Sequence, residues 1–142
     1  EMCIRDRYLA ALAEECGCTN YSFEGATDHP EEYYRKAGIL CMTSTFEGFG
    51  MVLIEGMQHG CIPMAFESFT AVRDIIEPDR TGILVPPFDL EQYAARLLDL
   101  MRDGGKREAM SAACFRSSGK FGKSRIAGLW ENLLSKLAEK PR

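Results

Sequence analysis

Apolar runs short enough for β-strands alternate with amphipathic stretches along this chain, and this alternation limits its fold more than any other feature. The apolar runs predict strands at 21–25, 38–43, 62–66 and 82–85. Helical spacing of apolar residues, with capping and stop signals, predicts helices at 6–16, 30–36, 50–59, 70–77, 90–103, 105–116 and 124–139. Asp89 and Gln92 form a capping-box pattern at the start of the helix at 90–103. Because strands that alternate with helices form parallel β-α-β units, we expect an α/β domain with a Rossmann-like parallel sheet of about four strands, flanked by helices.

The length, composition and charge restrict the class of protein. The chain has 142 residues, of which 46% are hydrophobic and 27% charged, and we predict a single globular domain over residues 1–142. The net charge is −4, and lysines and arginines are dispersed rather than interleaved with aromatic residues, which argues against a nucleic-acid partner. No apolar stretch approaches the roughly 20 residues that a membrane-spanning helix needs.

The first residues of the chain and its cysteines indicate the cellular compartment in which the protein is expected. Residues 1–7 lack the apolar core of a secretory signal and predict a start inside a longer protein. Cys16 and Cys18 stand too close together for the usual zinc spacing, so no metal site is expected. Cys41 and Cys61 fall in apolar surroundings typical of core strands, where free cysteine behaves as a small hydrophobic residue. We interpret this pattern as reduced thiols in a cytoplasmic protein.

The segment with the clearest chemistry joins the strand at 38–43 to the next helix. Glycines in Glu47-Gly48-Phe49-Gly50 let a ligand approach the backbone closely. The amides of residues 49–52 lie at the start of the helix, have no intrahelical acceptor, and form a binding place for a phosphate or a polar sugar. Glu47 also has a simpler interpretation, because a carboxylate near a helix N-terminus contributes about 0.3–1 kcal/mol of electrostatic stabilisation.

Glu55 is the other unusual residue, because it interrupts an apolar helix. Its apolar neighbours on this helix are Met51, Val52, Leu53, Ile54 and Met57. A carboxylate in such surroundings must find hydrogen-bond donors or face a cleft, and the alternative is a partly exposed helix residue without a ligand. The chain has neither a G-x-G-x-x-G fingerprint nor a Walker A lysine, so dinucleotide and P-loop binding are not supported.

The stretch from Glu47 to Glu55 resembles the E-x7-E motif of the group 1 retaining glycosyltransferases, whose GT-B architecture has two Rossmann-like domains. The flanking segments resemble the family in the same order, and they are Phe23-Glu24-Gly25, Tyr33-Tyr34-Arg35-Lys36-Ala37, Ser44, His59-Gly60-Cys61-Ile62-Pro63 and Gly82-Ile83-Leu84-Val85-Pro86-Pro87 followed by Asp89. The resemblance covers residues 20–100. It implies a truncated C-terminal, donor-binding half of such an enzyme, which lacks the strand and the Gly-rich turn that open this domain in relatives.

The resemblance also implies roles for residues in this segment. Glu47 matches the first glutamate of the motif and would be the catalytic residue, beside the transferred sugar and the diphosphate. Glu55 would hold the ribose hydroxyls of the sugar nucleotide. The remaining donor-binding residues that the family pattern implies are Gly48, Phe49, Gly50, Met51 and Val52. The family does not usually require a metal, so we expect neither a metal nor another cofactor.

The expected reaction is retaining transfer of a hexose unit from a UDP- or GDP-sugar to an acceptor hydroxyl, in polysaccharide or glycolipid synthesis. The acceptor would bind through the missing N-terminal domain, so the isolated piece is expected to be inactive, and peripheral membrane association stays open. Two alternatives remain, a sugar-nucleotide epimerase of the same fold and a non-catalytic nucleotide-sugar-binding domain. Residues 66–76, which include Arg73, depart from the family pattern near the donor and leave its identity open.

Overall fold

A computed structural model describes residues 4–139, which fall into two compact units divided after Pro30. The helices are α1 (Ile4–Glu15), α2 (Pro30–Tyr34), α3 (Met51–Gln58), α4 (Val72–Ile75), α5 (Leu90–Arg102), α6 (Gly104–Ser118) and α7 (Lys123–Ala138), and the 3-10 turn is Gly119–Phe121. The strands are β1 (Ile39–Met42), β2 (Ile62–Phe66) and β3 (Ile83–Val85). The predicted succession of elements from β1 onward is therefore confirmed.

The first unit contains α1 and the segment that follows it. Helix α1 ends before Gly17, whose φ of 67° is a left-handed conformation that favours glycine. The strand predicted at 21–25 is wrong, because a strand needs a hydrogen-bonded neighbour and none pairs with this segment among residues 4–139. The rings of Tyr21 and Phe23 contact each other edge to face, with their centroids 5.4 Å apart.

The second unit is built on a parallel sheet with the strand order β1-β2-β3. Ile39 pairs with Ile62 at the start of β2, and Met64 pairs with Ile83 at the start of β3. All five residues of the central strand β2 are buried. The described sheet has three strands rather than the expected four, because the segment at 21–25 does not join it. The fold class, a parallel α/β sheet flanked by helices, is confirmed.

Helices α3, α5 and α6 pack on the sheet and close the hydrophobic core. Tyr93 of α5 is buried, and its phenol donates a hydrogen bond of 2.7 Å to the carbonyl of Met64 in β2. The predicted cap of this helix is confirmed, since the Asp89 carboxylate accepts a hydrogen bond of 2.9 Å from the amide of Gln92. Helix α4 is shorter than the predicted 70–77, because Ile76 is extended and Pro78 disfavours a helical residue before it.

The core position expected for the two strand cysteines is confirmed for Cys61 and not for Cys41. Cys61 and Cys114 are buried, and burial raises the pKa of the Cys114 thiol to about 12, so it stays protonated near neutral pH. Cys41 is exposed, which corrects the expectation of a core position: it lies on β1, an edge strand whose outer side no other described strand covers. Cys3 lies outside the described residues.

Helix α7 coincides with the helix predicted at 124–139, but none of its residues is buried. Its apolar residues recur at helical spacing and stay exposed, and they are Ile126, Leu129, Trp130, Leu133, Leu134 and Leu137. Between residues 4 and 139, no helix combines the length and the apolar character required to cross a membrane.

We predict that Gly82→Ala destabilises the second unit by about 1–3 kcal/mol, because overpacking against fixed backbone has no cheap relaxation. A Cβ at this position would lie 2.4 Å from the carbonyl oxygen of Pro63, which belongs to the central strand. Urea denaturation measures the change, and Gly128→Ala in α7 serves as the matched control. A Cβ at Gly128 meets no atom within 4 Å, so this variant should gain about 0.5–1 kcal/mol from helix propensity. Equal midpoints for the two variants would contradict the close approach.

Candidate functional site

The candidate residues lie where β1 ends and α3 begins. Residues 43–50 leave the carboxyl end of β1 and lead into α3, and ligands of open parallel sheets bind at this edge. The structure brings the sequence-predicted residues together here: the loop and the first helical turn carry Glu47, Gly48, Phe49, Gly50, Met51 and Val52, and Glu55 follows one turn later.

Gly50 sets the direction in which the chain enters α3. It is the N-cap residue with φ 87° and ψ 43°, and its carbonyl accepts a hydrogen bond of 3.0 Å from the amide of Leu53. No side chain among residues 4–139 caps this helix end. The amides of Met51 and Val52 have no intrahelical acceptor and remain for water or a ligand. The side chains of Met51 and Val52 are exposed as well.

The entry loop is held on more than one side. The Ser68 hydroxyl, on the loop after β2, donates a hydrogen bond of 2.9 Å to the carbonyl of Ser44. Phe69 packs so closely that a Cβ on Gly50 would lie 3.0 Å from its ring. The ring of Phe49 meets the ring of Phe121 edge to face, with their centroids 6.0 Å apart. These long-range contacts keep the helix N-terminus in place. They could not be predicted from the sequence, because they join segments far apart in the chain and no local pattern indicates them.

Glu47 lies in this loop half-buried, between the exposed Phe46 and Gly48. Within residues 4–139 its carboxylate has no recorded hydrogen bond or ion pair. A carboxylate that is partly desolvated and has no protein partner is available to a ligand beside the helix start.

Glu55 is also half-buried, on the same face of α3 as Met51. Its Oε2 atom accepts a hydrogen bond of 3.1 Å from the phenol of Tyr34, which lies at the end of α2. Tyr34 belongs to the segment 33–37 that resembles the family, but that resemblance assigns it no function. The signal was the Tyr33-Tyr34 pair in that segment; its contact with Glu55 depends on tertiary structure.

A recess of about 400 Å³ adjoins the loop after β2, and its lining residues are Glu67, Ser68, Phe69, Thr70, Val72 and Arg73. This volume is in the range of small-molecule sites. Arg73 forms an exposed ion pair with Glu67, so its guanidinium already has a partner in this structure. The recess lies at the carboxyl end of β2. The hydrogen bond between Ser68 and Ser44 joins its lining to the loop that contains Glu47.

Comparison with known proteins identifies the family. The family model described as "Glycosyl transferases group 1" matches residues 5–115. The chain belongs to the group 1 glycosyltransferases. The family predicted from the stretch between Glu47 and Glu55 and from its flanks is therefore confirmed.

Individual members of this family are similar to most of the chain. It is 32% identical over 138 residues to the D-inositol 3-phosphate glycosyltransferase of Thermobispora bispora. This match covers 95% of this chain and 30% of that protein. It is 33% identical over 104 residues to the amylovoran biosynthesis glycosyltransferase AmsD of Erwinia amylovora. This match covers 73% of this chain and 29% of that protein. The chain thus spans less than a third of the length of either relative.

A solved structure of this fold is Anabaena Alr3699/HepE in complex with UDP and glucose. Its TM-score is 0.79 at 18% identity, and the match covers 94% of this chain and 36% of that one. At this identity the similarity shows the fold alone, which in this chain is a parallel sheet flanked by helices.

We predict that Gly50→Ala lowers the free energy of unfolding by about 1–3 kcal/mol and perturbs the first turn of α3, because a left-handed conformation strains any residue with a Cβ. The added methyl would also press on the Phe69 ring at 3.0 Å. Gly48→Ala is the matched control in the same loop, because a Cβ there meets no atom within 4 Å. Urea denaturation and the amide shifts of Met51–Leu53 measure both effects. Equal loss in the two variants would show that Gly50 has no special conformation.

Proposed function

We propose that this chain binds the nucleotide-sugar donor of a retaining hexosyltransferase that builds a polysaccharide or a glycolipid. The observation that carries the proposal is the placement of Glu47 and Glu55 around the uncapped first turn of α3, at the carboxyl end of β1, in a group 1 glycosyltransferase. Similarity to an amylovoran biosynthesis enzyme and to a D-inositol 3-phosphate glycosyltransferase supports a sugar-transfer reaction.

The first turn of α3 would bind the donor diphosphate. Its amides at Met51 and Val52 have no intrahelical acceptor, and the positive end of the helix dipole favours an anion at this place. The net charge of −4 does not oppose this, since the interaction depends on donors within a few ångströms of the phosphate. As the bond to the sugar breaks, the same amides would stabilise the charge that develops on the leaving diphosphate, so we expect no metal requirement.

The two glutamates would act on opposite ends of the donor. Glu55, on the face of α3 that also carries Met51, would accept hydrogen bonds from the ribose hydroxyls. Glu47, without a protein partner among the described residues, would orient the sugar and stabilise the positive charge that develops on it in the transition state. The backbone of Gly48, Phe49 and Gly50 would contact the sugar and phosphate, and Gly48, which is exposed and has no side chain, lets a ligand approach closely.

The acceptor and the setting of the reaction complete the proposal. The relatives are more than three times as long as the part that this chain matches, which leaves room in them for an acceptor-binding domain. We therefore propose that the acceptor, a glycan, a lipid or a small molecule, binds through a further domain and that transfer takes place in the cytoplasm. Association with a membrane surface would also involve that domain.

Donor binding is tested by titrating this chain with UDP, GDP and their hexose conjugates, followed by calorimetry or amide shifts. We expect one nucleotide class to bind and Glu55→Ala to weaken it by about tenfold to a hundredfold, as expected when hydrogen bonds to a charged group are lost. Glu91→Ala, an exposed glutamate on α5, is the matched control and should leave binding unchanged. Equal binding by the Glu55 variant would place the ribose elsewhere.

Catalysis is tested with Glu47→Ala in the full-length polypeptide. Transfer should fall on the order of 10²–10³-fold, as when one group that stabilises transition-state charge is removed, while donor binding and folding persist. The measurements are product formation with retained anomeric configuration and the thermal midpoint. Unchanged turnover would remove the catalytic role of Glu47, and epimerised free donor in the absence of acceptor would favour a sugar-nucleotide epimerase.

A further inference from the structure

A tyrosine hydroxyl holds one side of the Glu55 carboxylate. Tyr34, the last residue of α2, donates to Oε2 of Glu55 at 3.1 Å. Across residues 4–139 this is the one recorded hydrogen bond to the Glu55 side chain, so Oε1 is left for another donor. Both side chains are half-buried, and the pair is therefore within reach of a ligand on the exposed face of α3.

The position of Tyr34 is itself fixed by several contacts. The Cys61 thiol, just before β2, shares its one proton between the carbonyls of Tyr34 and Ala37, each 3.0 Å from Sγ. The rings of Tyr34 and His59 lie 5.9 Å apart, and Nδ1 of His59 hydrogen-bonds to the carbonyl of Glu55 at 3.0 Å. The end of α2, the end of α3 and the start of β2 are thereby tied together around one carboxylate.

The phenol is a dependable donor in this setting. Burial, and then the hydrogen bond and negative charge of Glu55, raise the pKa of Tyr34 above its ordinary value, so the hydroxyl keeps its proton at neutral and mildly alkaline pH. A free glutamate side chain loses rotamer entropy when it is fixed. A hydrogen bond formed before the ligand arrives removes part of that loss from the binding step.

We propose that Tyr34 is a positioning residue, whose phenol holds Oε2 of Glu55 so that Oε1 accepts a hydrogen bond from the ribose hydroxyls of the donor. This inference rests on the proposed function, because it takes the ribose role of Glu55 as given. It adds a residue on a different helix to the donor site, together with the Cys61 and His59 contacts that keep that residue in place.

The test is Tyr34→Phe in this chain, titrated with UDP, GDP and ADP and with the 2′,3′-dideoxy form of each. For the nucleotide that binds, the variant should raise Kd by about fivefold to tenfold, on the scale of one hydrogen bond to a charged group. Binding of the dideoxy form should change by less than about twofold, because the contact that Glu55 would make is absent. In a Glu55→Ala background, Tyr34→Phe should have no further effect on either ligand.

Tyr33→Phe is the matched control, since it removes the same atom from the neighbouring residue of α2 and leaves the bond to Glu55 intact. The ratio of the two dissociation constants within one variant is insensitive to the folded fraction, so a partly unfolded variant still gives an answer. Equal weakening of the ribose and dideoxy forms would show a merely structural role and overturn the inference, as would unchanged UDP, GDP or ADP binding.

The ribose role of Glu55 and the positioning role of Tyr34 would be contradicted by different results. If the unmodified chain binds none of the three nucleotides, or does not distinguish ribose from dideoxyribose, the proposed role of Glu55 fails and Tyr34 falls with it. If the unmodified chain distinguishes them through Glu55 but the Tyr34 variant does so equally well, the proposed function stands and only the positioning role is lost.

Discussion

The candidate site depends on how α3 packs against the sheet. Leu53, Ile54 and Met57 are at most 2% exposed, and they lie opposite the face that carries Met51 and Glu55. Gly56 permits a close approach, because a Cβ there would lie 2.9 Å from a methyl of Leu40. This packing sets the rotation of α3 about its own axis. One rotation buries the apolar face, and it leaves the first-turn amides and Glu55 together on the exposed side, above the end of β1.

The loop before α3 and its neighbours form a connected polar edge rather than a set of separate loops. Ser68 hydrogen-bonds to the loop that contains Glu47, and Tyr34 hydrogen-bonds to the carboxylate of Glu55 on α3. Each contact joins segments from different β-α units. Groups held in this way lose little freedom when a ligand binds, which is how a small number of hydrogen bonds gives useful affinity. The close fit of Phe69 against Gly50 belongs to the same arrangement.

Sequence patterns predicted the elements that are stabilised locally or buried on every side. The strand at 62–66 was predicted at its observed bounds, because a continuous apolar run is typical of the centre of a parallel sheet. Helix α5 was predicted from its Asp89 cap and apolar spacing. The segment at 21–25 was predicted wrongly, since its aromatic residues suit a strand but strand formation requires a partner. Cys41 was misplaced because an apolar run does not reveal which strand lies at the edge of a sheet.

The sequence by itself determined the family, the α/β class and the stretch from Glu47 to Glu55, because motif spacing, helical period and capping residues act over a few neighbouring positions. The functional roles of that stretch stay predictions. Only the tertiary structure decided that Tyr34 holds the Glu55 carboxylate, that Phe69 closes against Gly50, and that Ser68 ties down the entry loop. These contacts join segments far apart in the chain. They exist because burial of α3 and β2 brings those segments together, and no local pattern records that outcome.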